Sequence, residues 1–213
     1  MLVHGTRTSS AIWQPQLDAL TAAGHPAVAV DLPGHGARLA ERFTLDGALA
    51  TIDSAVRACS EPPLLVGLSL GGYASLAYAG RHGDAVAGVM LAGCSTEIKG
   101  KPLWMYRRAA DAVARTLHPG GTWRVVTDTL RELDGYSPLA DLRRLRVPVW
   151  LVNGQRDPLR FDEWRYVRAR RNIGLLVVPG AGHDVNSHAP AAFNRALLDA
   201  LAVLRLRPAA ALV

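Results

Sequence analysis

The sequence predicts an α/β protein built on a doubly wound, mostly parallel sheet, and three observations carry that prediction. Six short apolar runs alternate with longer segments of helical character along the 213 residues. The clearest of these segments, near 44–60, places Leu45, Leu49, Ile52, Val56 and Cys59 on one face, with Thr44 at its N-cap. Hydrophobic residues make up 49% of the chain and the mean hydropathy is +0.10, which suits an α/β interior. No internal repeat or low-complexity tract interrupts the pattern, so one domain over 1–213 is expected.

The elements follow in order. A strand near 1–4 runs into His4-Gly5-Thr6, and a helix near 13–23 comes after it. The strand near 27–31 leads to Asp31-Leu32-Pro33-Gly34-His35-Gly36. After the 44–60 helix, the strand near 63–67 ends in Gly67-Leu68-Ser69-Leu70-Gly71, and a helix near 70–82 follows directly. The fourth strand lies near 86–92. A stretch of roughly 95–140 then breaks the alternation, with two helices expected at about 103–117 and 122–133, split by His118-Pro119-Gly120-Gly121. The strand near 147–153 turns at Gly154 into Gln155-Arg156-Asp157-Pro158, ahead of a helix near 160–170. The last strand, near 174–178, ends in Gly180-Ala181-Gly182-His183. Ala189-Pro190 opens a final helix to about 206, and the residues from Pro208 to Val213 read as a loose tail.

Composition excludes several classes. No apolar run approaches the roughly 18 residues that span a bilayer, and no signal-peptide pattern opens the chain, so a cytoplasmic protein with no membrane partner is expected. The net charge of +6 and pI near 9.9 raise the question of an anionic partner. The basic residues are nearly all arginine, Lys99 and Lys101 being the only lysines. Their densest groups, Arg143, Arg144 and Arg146, then Arg165, Arg168, Arg170 and Arg171, flank or lie in surface helices without an aromatic stacking platform. They read as a solvated face, with no nucleic acid as partner. The arginine and alanine bias suits a GC-rich bacterial genome. Cys59 comes before the third strand and Cys94 follows the fourth, on opposite edges of the sheet separated by about 17 Å, too far for a disulfide, and both read as free thiols of a reducing compartment. No Cys/His spacing suits a metal and no G-x-G-x-x-G follows a strand, so no metal and no cofactor is expected.

The chemistry concentrates at three strand ends. Gly67-Leu68-Ser69-Leu70-Gly71 is a G-x-S-x-G elbow, whose sharp strand-to-helix turn lifts the Ser69 hydroxyl above the sheet. The Leu70 N–H, at the start of a helix, points at any oxyanion formed by attack from Ser69. In an open parallel sheet the loops beyond the carboxyl ends share one edge. Ser69, Asp157 and His183 each follow such an end, in the order serine, acid, histidine. Each has a plainer alternative. Asp157 before a proline is also a turn residue; Asp162 and Glu163, in the next helix, and Glu97, after an earlier strand, are fallback acids. His188 is the rival base, while Asp184 cannot easily turn its carboxylate onto its immediate neighbour.

With those residues in place, nearly the whole chain resembles the α/β-hydrolase-fold family, of the small esterase and lactone-hydrolase kind. Leu2-Val3-His4-Gly5-Thr6 resembles the family's strand-plus-His-Gly segment, which implies Thr6 N–H as the second oxyanion donor. Ser9-Ser10-Ala11-Ile12-Trp13 resembles its next helix entry, and Asp31 to Gly36 its Asp-x-x-Gly-x-Gly loop. The resemblance implies that His4 and His35 tie loops together. Serine at 69 argues against the haloalkane dehalogenases and epoxide hydrolases of the same fold, which carry an aspartate nucleophile. Family members usually have two further strands before the His-Gly segment; here the sheet is expected to be trimmed or to start upstream, with an edge that needs other cover, a partner chain for instance. The 95–140 stretch is the family's cap. Its Leu103, Trp104, Met105, Tyr106 and Trp123 either line the substrate pocket or fasten the cap to the core. The implied activity is acyl transfer through Ser69, His183 and Asp157 to cleave a carboxylic ester, lactone or thioester of a small to medium apolar substrate. Carbon–carbon bond hydrolysis, favoured by an inward Arg107 or Arg108, stays open, as do a non-hydrolytic tailoring enzyme, a small-molecule-binding protein and a homo-oligomer.

Overall fold

All six apolar runs fold as strands of one sheet: β1 (Leu2–Val3), β2 (Ala29–Val30), β3 (Leu64–Leu68), β4 (Gly88–Ala92), β5 (Val149–Gly154) and β6 (Ile173–Val178). Their order across the sheet is β2-β1-β3-β4-β5-β6, and every neighbouring pair is parallel. The computed structural model describes residues 1–105, 108 and 123–206. The helices are α1 (Gln14–Ala22), α2 (Leu45–Arg57), α3 (Leu70–Arg81), α4 (Trp123–Glu132), α5 (Pro138–Arg144), α6 (Glu163–Ala169), α7 (Val185–His188) and α8 (Pro190–Arg205).

The sheet is buried on both faces. Leu65, Leu91 and Leu151 join the core under α2, α3, α5 and α6, while Val66, Met90 and Val152 join the core under α1 and α8. Two-residue alternation between two apolar layers is why these strands read as continuous apolar runs. On the first face Ile52 and Leu76 are fully buried; on the second, Trp13 packs 5.7 Å from Phe193, centroid to centroid. Truncating such a buried side chain to alanine typically costs about 2–5 kcal/mol.

The chain runs from β1 outward to β2, then returns to the other side of β1 as β3. The order reverses between β1 and β3, and a crevice at such a switch point is where open α/β sheets place their chemistry. The loops after β1 and β3 carry Thr6 and Ser69.

Two helices are absent from the sequence reading. α5 begins at Ser137, whose Oγ accepts from the Ala140 amide at 3.3 Å, with Pro138 at the first helical position. Seven residues give too little length for periodicity to show. α5 packs on α3, so the excursion between β4 and β5 rejoins the core there. α7 has four residues and follows His183 directly. Of the two expected cap helices, the second is α4; most of the first (106, 107 and 109–117), and the 118–121 break, lie outside the described residues. α4 is clamped to the loop before α2: the buried Asp128 carboxylate accepts from Arg42 Nε at 2.7 Å and Arg131 Nη2 at 2.8 Å, and Glu132 Oε2 accepts from the Leu45 amide at 3.0 Å. Cys59 and Cys94 are both free thiols, the second fully buried.

Candidate active site

The turn from β3 into α3 forces Ser69 to φ +50° and ψ −115°, a region that costs a non-glycine residue on the order of 1–3 kcal/mol. Tertiary bonds hold it there: the Ser69 amide donates to Ala92 O at 2.7 Å, and Ser69 O accepts from the Tyr73 amide at 3.1 Å. The flanking glycines are demanded by close approach. A Cβ on Gly67 would stand 2.3 Å from Gly71 O, and one on Gly71 would stand 2.2 Å from Val3 O. The G-x-S-x-G spacing thus records two backbone contacts rather than flexibility.

Asp157 sits in a tight turn beyond β5. Its amide donates to Gly154 O at 3.1 Å, and its Oδ1 accepts from the Leu159 amide at 2.8 Å, so it is a turn residue and an available acid at once. His183 Nδ1 lies 3.1 Å from both oxygens of this carboxylate. The Asp157 side chain is wholly buried, whereas the His183 ring keeps 30% of its surface exposed. Burial pushes the Asp157 carboxyl up, but hydrogen bonds from His183 and the Leu159 amide outweigh it and hold the group below the usual carboxylate range. Burial lowers His183, but the hydrogen bond and charge of Asp157, with the charge of Asp184, carry it above the ordinary imidazole value. Neutral His183 therefore places its proton on Nδ1, facing the carboxylate, and leaves Nε2 as the basic nitrogen.

Ser69 and His183 meet across the end of β4. Ala92 O receives the Ser69 amide, and the next residue, Gly93, packs against the imidazole: a Cβ there would stand 3.2 Å from Cε1 and Nδ1. Among the described residues no hydrogen bond joins Ser69 Oγ to the ring. Gly5 abuts Ser69, its Cβ position 3.4 Å from Ser69 Cβ. Among the described residues the amides of Thr6 and Leu70 have no hydrogen-bond partner, which leaves both free to donate to an oxyanion.

The other sequence candidates are engaged elsewhere. Buried Glu97 accepts from the Leu139 amide at 3.1 Å, and buried Asp162 from the Glu97 amide at 2.9 Å, with Lys101 Nζ 3.3 Å away. His188 Nδ1 accepts from the Gly182 amide at 3.2 Å and so steadies the loop that carries His183. His4 Nε2 accepts from the Leu32 amide at 3.0 Å, which puts its proton on Nδ1, 2.8 Å from Gly5 O; burial pushes its pKa down to about 4. His35 Nδ1 bonds Pro33 O, and Asp31 accepts from the amides of Ser10 and Ala37. Both histidines and Asp31 tie loops together.

The cap residues divide. Trp123 is half-buried, with the Arg7 guanidinium 4.5 Å above its ring, so α4 touches the Thr6 loop. Trp104 and Met105 are 56% and 54% exposed, while Leu103 is buried. Arg108 is exposed; Tyr106 and Arg107 lie outside the described residues.

The sequence reading does not single out Asn153, and the structure gives it a central place. Fully buried, it accepts from the Gly93 amide through Oδ1 at 3.2 Å. Its Nδ2 donates to Ser95 Oγ at 2.7 Å and Glu163 Oε2 at 2.6 Å, and Glu163 in turn takes a two-pronged bond from Arg160. The signal was one amide inside the apolar strand Val149–Gly154. A buried polar side chain without partners costs about 1–3 kcal/mol, so its presence there implies a job. Among the described residues no cluster of His, Cys, Asp and Glu is suited to a metal ion.

Residues 1–196 match the sequence model of the alpha/beta hydrolase family. The chain is 26% identical over 203 residues to a putative protein-lysine deacylase of Rattus norvegicus, covering 94% of this chain and 81% of that protein. It is 28% identical, over an alignment 249 positions long, to a putative carbamate hydrolase of Variovorax paradoxus, covering 95% of this chain and 91% of that protein. Among solved structures, a thermophilic esterase from Thermogutta terrifontis superposes with a TM-score of 0.79 over 95% of this chain and 89% of that one, at 21% identity, a likeness of fold.

Proposed function

The chain belongs to the alpha/beta hydrolase family, and from that premise we propose that it is a serine hydrolase of carboxylic esters, with Ser69 as nucleophile, His183 as base and Asp157 as the acid that orients it. The observation that carries this reading is the buried Asp157 carboxylate on His183 Nδ1, directly across Gly93 from a strained Ser69. His183 Nε2 takes the Ser69 proton as Oγ attacks the ester carbonyl carbon. The oxyanion that forms is held by the Thr6 and Leu70 amides, each such donor lowering the barrier by about 2.7–4 kcal/mol. The carbon–oxygen bond to the leaving alcohol then breaks, and the imidazolium returns its proton to that oxygen. Water, deprotonated by the same Nε2, attacks the acyl-enzyme and releases the carboxylic acid.

Lactones and thioesters present the same carbonyl to the same groups. The names of the two relatives speak of deacylation and carbamate hydrolysis, which are carbonyl cleavages as well. Trp123 beside the Thr6 loop supports a small to medium apolar acyl or alcohol portion. The test is turnover of p-nitrophenyl esters of graded chain length together with labelling by a fluorophosphonate. Wild type is expected to do both, and Ser69→Ala neither, with an unchanged melting curve. Undiminished turnover by Ser69→Ala overturns the reading.

A further inference from the structure

The two outer strands of the sheet are built in opposite ways. β2 has two residues, Ala29 and Val30, between Pro26 and Pro33 in the chain. β6 has six, Ile173-Gly174-Leu175-Leu176-Val177-Val178, with no charge and no proline. It pairs along its whole length with β5 and lies last in the sheet, so among the described residues no strand meets its outer row of N–H and C=O groups. Proteins normally blunt such an edge by shortness, charge, proline or a covering element. β2 has the first of these devices; β6 has none among the described residues.

Apolar exposure gathers around the same edge. Leu175 and Leu176, pointing to opposite faces, are 43% and 38% exposed. Val203 of α8, 47% exposed, lines the groove beside the strand, and α6, just before β6 in the chain, carries Trp164 and Val167, 59% and 37% exposed, with the Arg168 guanidinium 5.2 Å from the Trp164 ring centroid. Between β5, β6 and α8 runs a groove of about 350 Å³, floored by Trp150 and Leu176 and rimmed by Arg195 and Asp199. An apolar patch with a polar rim marks a protein contact.

We propose that β6 pairs antiparallel with β6 of a second copy of this chain across a two-fold axis, joining the two six-stranded sheets into one. Antiparallel pairing of a strand with its own copy closes under two-fold symmetry. Charge selects the same partner. Arg195 and Asp199 lie four residues apart on α8, both exposed, yet neither forms an ion pair with the other or with any described group. The two-fold sets the two α8 helices antiparallel beside each other, so each Arg195 faces the Asp199 of the other copy, twice per dimer. Leu176 and Val203 fill the groove on that face, and Leu175 and Trp164 close the other. A stable dimer buries about 800 Å² per partner, and this patch spans a strand and a helix on either side.

The test is the mass of the full chain by light scattering and sedimentation over a dilution series. A species of twice 22.8 kDa is expected. Leu176→Arg is expected to give monomer. Asp199→Arg, an exposed change that leaves the fold intact by circular dichroism, is expected to weaken association by about tenfold or more. The charge-swapped Arg195→Asp/Asp199→Arg protein is expected to recover it, since both cross-pairs are restored with reversed sign. A monomer at every concentration overturns the proposal and assigns the edge to another occupant. A dimer indifferent to both Leu176→Arg and Asp199→Arg overturns it by placing the interface elsewhere.

Discussion

The two ends of the strands hold opposite kinds of space. At the carboxyl end the backbone is driven to positive φ at Ser69, Arg7 and Gly93, a carboxylate is wholly buried, and one amide, Asn153, serves three partners. At the amino end lies a cavity of about 550 Å³, walled by Leu20, Val28, Leu64, Leu197 and Leu201, with Cys59 and His25 at its sides. Among the described residues Cys59 Sγ donates to Ala55 O and His25 Nδ1 accepts from Arg205 Nη2, so the two are not paired with each other. Helices that return antiparallel to the strands send their N–H groups to the carboxyl end and their terminal carbonyls to the amino end. Only the first can stabilise a developing anion. The direction of the backbone, rather than the size of a cavity, is what the proposed site draws on.

That contrast is exposed to experiment, most severely at Asp157. Asp157→Asn is expected to lower kcat by about 10⁴-fold, because an amide does not hold His183 in the tautomer with a free Nε2. Glu97→Gln, which keeps an acceptor for the Leu139 amide, is expected to leave kcat close to wild type. A loss confined to Glu97 would move the acid to the strand before it. Asn153→Ala is the next in size: release of the Gly93 amide and of Glu163 is expected to cost kcat about 10²-fold through misplacement of the base, with KM little changed. Steady-state kinetics on one p-nitrophenyl ester measures all three.

The pH profile sharpens the comparison further. The base must be neutral, so a raised His183 pKa means that kcat/KM falls away at a pH above the ordinary imidazole value near 6.5 as acid is added. Asp157→Asn is expected to shift that limb to lower pH. The same pair affects stability with the opposite sign: its His183 part is fully present below the unfolded imidazole pKa and is lost as pH rises through the folded one. The depressed Asp157 pKa contributes above the unfolded carboxylate value and is lost as pH falls through the folded one. The smallest effect belongs to the amino end. Cys59→Ser in the cavity wall is expected to change kcat/KM by no more than about 0.5 kcal/mol in barrier; a large loss there would break the contrast outright.

What the sequence makes legible follows from range. The strands show because burial on both faces leaves uninterrupted apolar runs, and Ser69, Asp157 and His183 show because each directly follows one. The Thr44 cap of α2 is local as well, its Oγ1 accepting from the Gly47 amide at 3.0 Å. α5 escapes because Ser137-Pro138 starts it but seven residues cannot establish a period. The meeting of Arg7 with Trp123 joins positions far apart in the chain, and no spacing rule links them. Trp104, Met105 and Trp123 look alike as apolar cap residues, yet among the described residues only the last is seen against the loop after β1, through Arg7. Asn153 was visible as a letter and silent as a role, since its partners Gly93 and Ser95 come from the loop after β4 and Glu163 from α6, both outside its own strand.

Gly93 sets the gauge of the whole constellation. It has no functional group, yet it separates the strand end beside Ser69 from the His183 ring by the width of a missing methyl. At φ +59°, with two imidazole atoms and His183 O within 3.2 Å of where a Cβ would sit, an added carbon has nowhere to go but into the ring. The imidazole would have to pivot off Asp157 or away from Ser69. The reactive groups are interchangeable in principle, one nucleophile or acid for another, but the clearance between them is a tolerance machined into the backbone. It can be closed by a single substitution and widened by none.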